Sequence, residues 1–198
     1  MGLELPYHAG QTPLDATESE GLLLKTISTQ GELNEAEQLN VQQAIEWTLR
    51  RKFGADRIFS QSFCNELHRR MYGNVWDWAG KFRRTDKNIG VSKYEIAAEM
   101  RKLLDDCLYW IGHETYSQDE IAIQFKHRVV SIHCYSNGNG RHSRLMADTI
   151  INHVFGKPAF TWGANNLAEA EKTREKYLQA LRMADKGVIS PLIAFSRS

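Results

Sequence analysis

His133-Cys-Tyr-Ser-Asn-Gly-Asn-Gly-Arg-His-Ser-Arg144 packs a histidine, two glycines around an asparagine, and two arginines into twelve residues. The glycines let the backbone turn tightly and point its N–H groups outward. Arg141 and Arg144 are three apart and share one face if a helix starts there. Residues 145–153, Leu-Met-Ala-Asp-Thr-Ile-Ile-Asn-His, carry a helical pattern. A glycine turn that feeds a helix N-terminus, with two forked cations beside it, is suited to a polyphosphate. His133 adds a group that exchanges a proton near neutral pH. The stretch points to chemistry on a nucleotide or another phosphate ester.

Outward from this turn the chain reads as helices. Upstream, Ile121, Phe125, Val129 and Ile132 recur at helical spacing and deliver the chain to His133, with Ser117 and Glu120 as a cap. Before that, Ile96, Met100, Leu103, Leu104, Leu108 and Ile111 define an apolar face that ends at Gly112. Residues 58–71 form one helix in this reading, with Phe59, Phe63 and Leu67 inside. An earlier helix starts near Asn34, capped by Asn34 and Glu37, and turns Leu39, Val41, Ala44, Ile45 and Leu49 inward. Residues 1–20 read as an extended lead-in. Residues 76–91 are aromatic and glycine-bearing with weak alternation, which predicts a short β-hairpin around residues 86–88. Downstream, a last helix is expected over residues 166–186, with Leu167, Ala170, Tyr177, Leu181 and Ala184 facing in. The fold class is all-α with one small hairpin.

Bulk properties agree with one globular domain. The chain has 198 residues, a formal net charge of +1 and 25% charged residues. Nothing in that balance favours nucleic acid as a partner, because sequence-independent binding relies on many phosphate contacts. Cys64, Cys107 and Cys134 are too scattered for a zinc site or a disulfide framework and read as reduced thiols of a cytoplasmic protein. No apolar run reaches membrane-spanning length, so no membrane partner is expected.

The stretch 133–144 resembles the signature of the Fic (Fido) family, His-x-Phe-x-Asp/Glu-Gly-Asn-Gly-Arg-x-x-Arg. Leu67-His68 and Trp78-Ala-Gly-Lys-Phe-Arg83 are similar to the family's segment before its flap. Arg174-x-x-Tyr177-x-x-Ala-Leu181 and Pro191-Leu-Ile-Ala-Phe195 are similar to its closing helices. The resemblance spans roughly residues 34–195 and looks closest to a small bacterial group called mobile mystery protein B. It implies a Fic/Fido helical fold over residues 34–198 with a hairpin flap, preceded by an N-terminal extension, residues 1–33.

The resemblance also implies an activity: transfer of AMP from ATP to a Ser, Thr or Tyr hydroxyl of a target protein, with Mg2+. His133 would be the general base. Gly138, Asn139 and Gly140 would form the anion hole, with Arg141 on the β-phosphate and Arg144 on the γ-phosphate. Lys87, Asn88, Ile89, Gly90 and Val91 would be the flap that clamps the target segment. Asn137 stands where the family has the Asp or Glu that holds Mg2+, and a neutral amide is a weaker ligand for a hard cation. That substitution also motivates two alternatives: a nucleotide-binding module with weak or lost catalysis, or transfer of another nucleotide or phosphate group. Ser28-Thr-Gln-Gly-Glu32-Leu33-Asn34 partly matches the family's inhibitory pattern, so Glu32 is expected to restrain Arg144. A regulatory partner protein is a further expectation by analogy.

Overall fold

The computed structural model describes residues 13–164 and 170–198. The described chain is helical: α1 (Ala16–Glu20), α2 (Gln30–Leu49), α3 (Ala55–Ile58), α4 (Gln61–Tyr72), α5 (Ile96–Gly112), α6 (Gln118–Ile132), α7 (Asn139–His153), α8 (Ala170–Ala184) and α9 (Ser190–Ser196). Helices α6 and α7 form the central pair, joined by the turn 133–138. Helix α5 packs on α6, α2 packs on α4, and α8 with α9 closes the other side. None of the described helices is long and apolar enough to cross a membrane.

The core lies between these layers. Phe63, Leu67 and Met71 of α4 share one buried core with Phe125 and Val129 of α6 and Met146 and Ile150 of α7. Each such side chain contributes about 2 kcal/mol of transfer free energy. The expected stripe of α6 is the observed one: Ile121, Phe125, Val129 and Ile132 are buried, and Ser117 Oγ accepts from the Glu120 N–H at 3.3 Å. In α5, Ile96, Met100, Leu103 and Leu104 are buried as expected.

Five expectations need correction. The lead-in is not wholly extended, because Asp15 and Glu18 build a capping box that starts α1. Residues 58–71 are not one helix. Phe59 and Ser60 separate α3 from α4, and the Ser60 hydroxyl accepts from the Phe63 N–H to restart the chain. Helix α2 begins at Gln30 on a Thr29–Glu32 capping box, four residues before the expected start. Its inward face is also different: Leu33, Glu37, Asn40, Ala44 and Thr48 are buried, whereas Leu39 and Leu49 are exposed. The apolar pattern misleads because the buried stripe is largely polar; its polar side chains each make a hydrogen bond or ion pair, although the Asn40 Oδ1 is left without one. Asn40 Nδ2 bonds the Ala36 carbonyl, Thr48 Oγ1 bonds the Ile45 carbonyl, and Glu37 reaches two other elements.

The expected hairpin is an irregular loop, without strand among the described residues of 81–95. Arg83 explains this. Its guanidinium is buried and donates to the carbonyls of His133 (2.7 Å), Thr85 (2.7 Å) and Val91. Those Thr85 and Val91 carbonyls would otherwise serve a ladder. The start of the last long helix, including Leu167, falls outside the described residues; within them, Ala180 and Ala184 are buried and Tyr177 and Leu181 partly so.

Candidate functional site

A cleft of about 710 Å³ opens where the N-terminus of α7 faces α2 and α8. Its lining includes His133, Asn137, Gly138, Asn139, Gly140, Arg141 and Arg144, so the structure brings every residue of the predicted signature site together. Glu37, Trp162 and Tyr177 join them from other parts of the chain.

The loop is built by its own side chains. His133 caps α6 in the left-handed conformation (φ 55°), which swings the chain out of the helix. Asn139 then ties the turn shut: its Oδ1 accepts from the Tyr135 N–H at 2.9 Å and its Nδ2 donates to the Tyr135 carbonyl at 2.7 Å. The Asn139 side chain is therefore spent on the loop and offers a ligand only its backbone N–H. Gly138 adopts φ 76° against the ring of Tyr72, where a Cβ would come within 2.5 Å. Gly140 differs, because a Cβ there would meet nothing within 4 Å. That open face lies at the positive end of α7, an environment that favours negative charge. The Tyr135 hydroxyl, extra relative to a phenylalanine, donates to Asn65 Oδ1 at 2.9 Å.

His68, which reads as a packing residue, also fixes this loop. It is buried, stacks on Tyr135 at 3.7 Å, accepts from the Gly80 N–H on Nδ1 (3.0 Å) and lies 3.0 Å from the Asn137 carbonyl with Nε2. An acceptor Nδ1 leaves the proton on Nε2, so the ring is neutral and donates to Asn137. Burial holds its pKa well below the usual imidazole value.

His133 sits at the junction of cleft and flap loop. Burial first, then the positive charges of Arg83 and Lys87, lowers its pKa to about 4, while a hydrogen bond at Val130 pulls the other way. The imidazole is neutral at pH 7 and able to accept a proton. Gly90 lies directly against it: a Cβ on Gly90 would fall 2.6 Å from the His133 Cβ. The Val91 N–H donates to the Ile132 carbonyl at 3.3 Å, which anchors the loop beside the histidine. Asn88, Ile89 and Gly90 face solvent, whereas the Lys87 ammonium is covered by α1 and pairs with Glu18. Cys134 is fully buried, and burial pushes its thiol above the ordinary range, so it holds no reactive thiolate.

The arginines have different surroundings. Arg141 pairs with Glu37 at 2.7 Å and lies over the Tyr72 ring at 5.0 Å. Arg144 lies 4.6 Å from the Tyr177 ring centroid and 5.8 Å from that of Trp162. Glu32 does not reach either. Its carboxylate accepts from the backbone N–H groups of Ser28 (2.8 Å) and Thr29 (2.9 Å) and caps α2 at the surface. These hydrogen bonds lower its pKa. Glu37 was legible only as a helix-capping residue, because its partners, Trp76 and Arg141, lie 39 and 104 positions away.

The donor set does not fit a protein-built Mg2+ site. Asn137 offers one neutral oxygen, already accepting from the Gly138 N–H at 2.6 Å. No group of three or more His, Cys, Asp or Glu is placed for a metal among the described residues. Mg2+ asks for one or two carboxylates beside phosphate oxygens.

Nine helices among the described residues, with an anion-ready cleft at the turn of the central pair, define an all-α protein with a nucleotide-sized site. Residues 58–151 match the family model described as the Fic/DOC family. The protein adenylyltransferase Fic of Drosophila grimshawi is 28% identical over 134 residues, covering 66% of this chain and 26% of that protein. The protein of the same name from Aedes aegypti is 27% identical over 134 residues, covering 66% and 25%. The chain thus spans about a quarter of the length of the curated relatives it matches. Among solved structures, the BepC protein of Bartonella tribocorum with bound AMPPNP has a TM-score of 0.67 at 14% identity, over 92% of this chain and 97% of that one. Fic-1 of C. elegans has a TM-score of 0.63 at 22% identity, over 90% and 51%. The fold is the Fic fold.

Proposed function

We propose that this chain is a protein adenylyltransferase that moves AMP from ATP to a Ser, Thr or Tyr hydroxyl of a target protein. One observation carries the reading: a neutral His133 shares a cleft with the open N-terminus of α7 and two arginines, and the flap glycine Gly90 lies against it. The triphosphate would lie along the Gly140 face, with Arg141 toward the β-phosphate and Arg144 toward the γ-phosphate. A target segment would lie along Asn88, Ile89 and Gly90, the exposed part of the loop of residues 87–91, with main-chain pairing as the clamp.

In the reaction the target oxygen attacks the α-phosphorus. Its proton passes to His133, the bond from the α-phosphorus to the α–β bridging oxygen breaks, and pyrophosphate leaves. The cations stabilise the charge that builds on the leaving phosphates, which is the main catalytic contribution in such transfers. No step is routed through a metal. Mg2+ would enter as part of the nucleotide, with Asn137 able to add one neutral ligand. Restraint of the site, if built into the chain, falls to Glu37 rather than Glu32. A regulatory partner and the kinship with mobile mystery protein B rest on sequence resemblance.

A second reading follows from Asn137: the module binds nucleotide with little transfer. Incubation with lysate and ATP labelled at the α- or the γ-phosphate separates the two, using wild type and His133→Ala. Protein label from the α-position that disappears in His133→Ala is the expected result. Label from the γ-position alone would mean phosphate transfer. Stabilisation by ATP with no covalent label would leave the binding module.

A further inference from the structure

The Arg144 end of the cleft holds a cation that the transfer scheme leaves unused. Lys126 of α6 is fully buried, and its Nζ donates to the Tyr177 hydroxyl at 2.6 Å. No carboxylate lies within ion-pairing distance of it among the described residues; Asp185 acts on it only through space and is itself hydrogen-bonded to His127 at 2.8 Å. Arg144 approaches the same tyrosine from the cleft side, with its guanidinium over the ring. Trp162 flanks Arg144 on another side, held at φ 54° with its indole N–H shared between both oxygens of Asp148 (3.1 and 3.2 Å). The Arg144 Nε is buried without a hydrogen-bond partner.

Two cations around one phenol, with no carboxylate among the described residues in contact with either, is an unfavourable arrangement in a protein interior. A well-packed apolar side chain in place of the lysine would commonly be at least as stable. The positive charge is balanced when an anion arrives. The phenol oxygen accepts from Lys126, which leaves its own O–H to donate outward. Tyr177 and Arg144 line the cleft, and Lys126 stands behind them.

We propose that Lys126 and Tyr177 are positioning residues that aim and charge Arg144, so that this end of the cleft selects a nucleoside triphosphate over the diphosphate by its terminal phosphate. The inference rests on the nucleotide reading of the same cleft. Tyr177 supplies the ring on which the guanidinium lies and the hydroxyl that holds Lys126. Lys126 supplies the charge that a third phosphate neutralises.

The test is direct binding of ATP and of ADP to the full chain as wild type, Lys126→Met and Tyr177→Phe. Wild type should prefer ATP. Both variants should lose about tenfold or more of ATP affinity, the scale of a charge-assisted hydrogen bond, with ADP affinity unchanged. ATP affinity equal to wild type in Tyr177→Phe overturns the inference. So does a parallel loss of ATP and ADP binding, the mark of a merely structural role. If Lys126→Met does not fold, Tyr177→Phe decides alone, because it removes one oxygen and keeps the ring. A wild type that binds neither nucleotide overturns the nucleotide reading itself, and the inference with it.

Discussion

Glu37 and Arg141 form an ion pair at 2.7 Å that joins the buried face of α2 to the first turn of α7. The second carboxylate oxygen accepts from the Trp76 indole N–H, also at 2.7 Å, so the acid has little freedom to turn away. A phosphate reaching for Arg141 meets a negative charge already there. Glu37→Gln should therefore raise ATP affinity several-fold and raise label transfer, as read by titration and by the α-labelled assay. Glu32→Gly should lower the melting temperature through loss of the α2 cap and leave transfer unchanged. Weaker ATP binding in Glu37→Gln would mean that the acid positions Arg141 rather than competing with phosphate.

The two signature glycines should separate folding from binding. Gly138→Ala places a Cβ at φ 76° and into the Tyr72 ring, which costs about 1–2 kcal/mol in backbone strain before the clash is counted. Its melting temperature should fall. Gly140→Ala meets no atom and improves helix propensity by about 0.5–1 kcal/mol, so the fold should hold or gain stability. Its methyl group would occupy the open anion face, and stabilisation by ATP should disappear.

Stability should fall on acidification between the ordinary imidazole pKa and about 4. His133 and His142 are each lowered to about 4, chiefly by burial, and His68 lies well below its usual value. In that window the unfolded chain binds protons that the folded chain refuses, so stability rises with pH. Asp148 works the other way, since burial raises it to about 6 and its neutral form favours the fold as pH drops. Three histidines outweigh one carboxyl. Melting temperatures from pH 7 to pH 4 should decline, and less steeply in His142→Gln. A flat profile would contradict the buried neutral rings.

Asn137→Asp tests the metal. The aspartate keeps the acceptor for the Gly138 N–H and adds the charge that a hard cation requires. Half-maximal transfer should need less Mg2+ in the variant than in wild type. Identical Mg2+ titrations would mean that the triphosphate alone carries the ion.

The stretch 133–144 was legible as a candidate site because its groups are consecutive: a histidine, a glycine turn and two cations at helical spacing. The stripes of α5 and α6 were equally plain, since burial there is apolar and periodic. Helix α2 was misread for the opposite reason. Its buried positions include Glu37, Asn40 and Thr48, polar groups whose burial no apolar periodicity announces. Arg83 replaced a predicted hairpin with a loop by the same means, taking carbonyls that no local pattern could assign to it.

By itself, then, the sequence determined the helical class and the glycine turn between two helices, because local propensity and periodicity act over a few residues. Tertiary structure decided which acid meets Arg141, that Glu32 stays on its own helix cap, that His68 fixes the loop, and that Lys126 stands behind Tyr177. Glu32 stays local because the N–H groups of Ser28 and Thr29 hold its carboxylate, whereas the other three depend on contacts between residues far apart in the chain. In those three a buried polar or charged group must find a partner once the helices close around it.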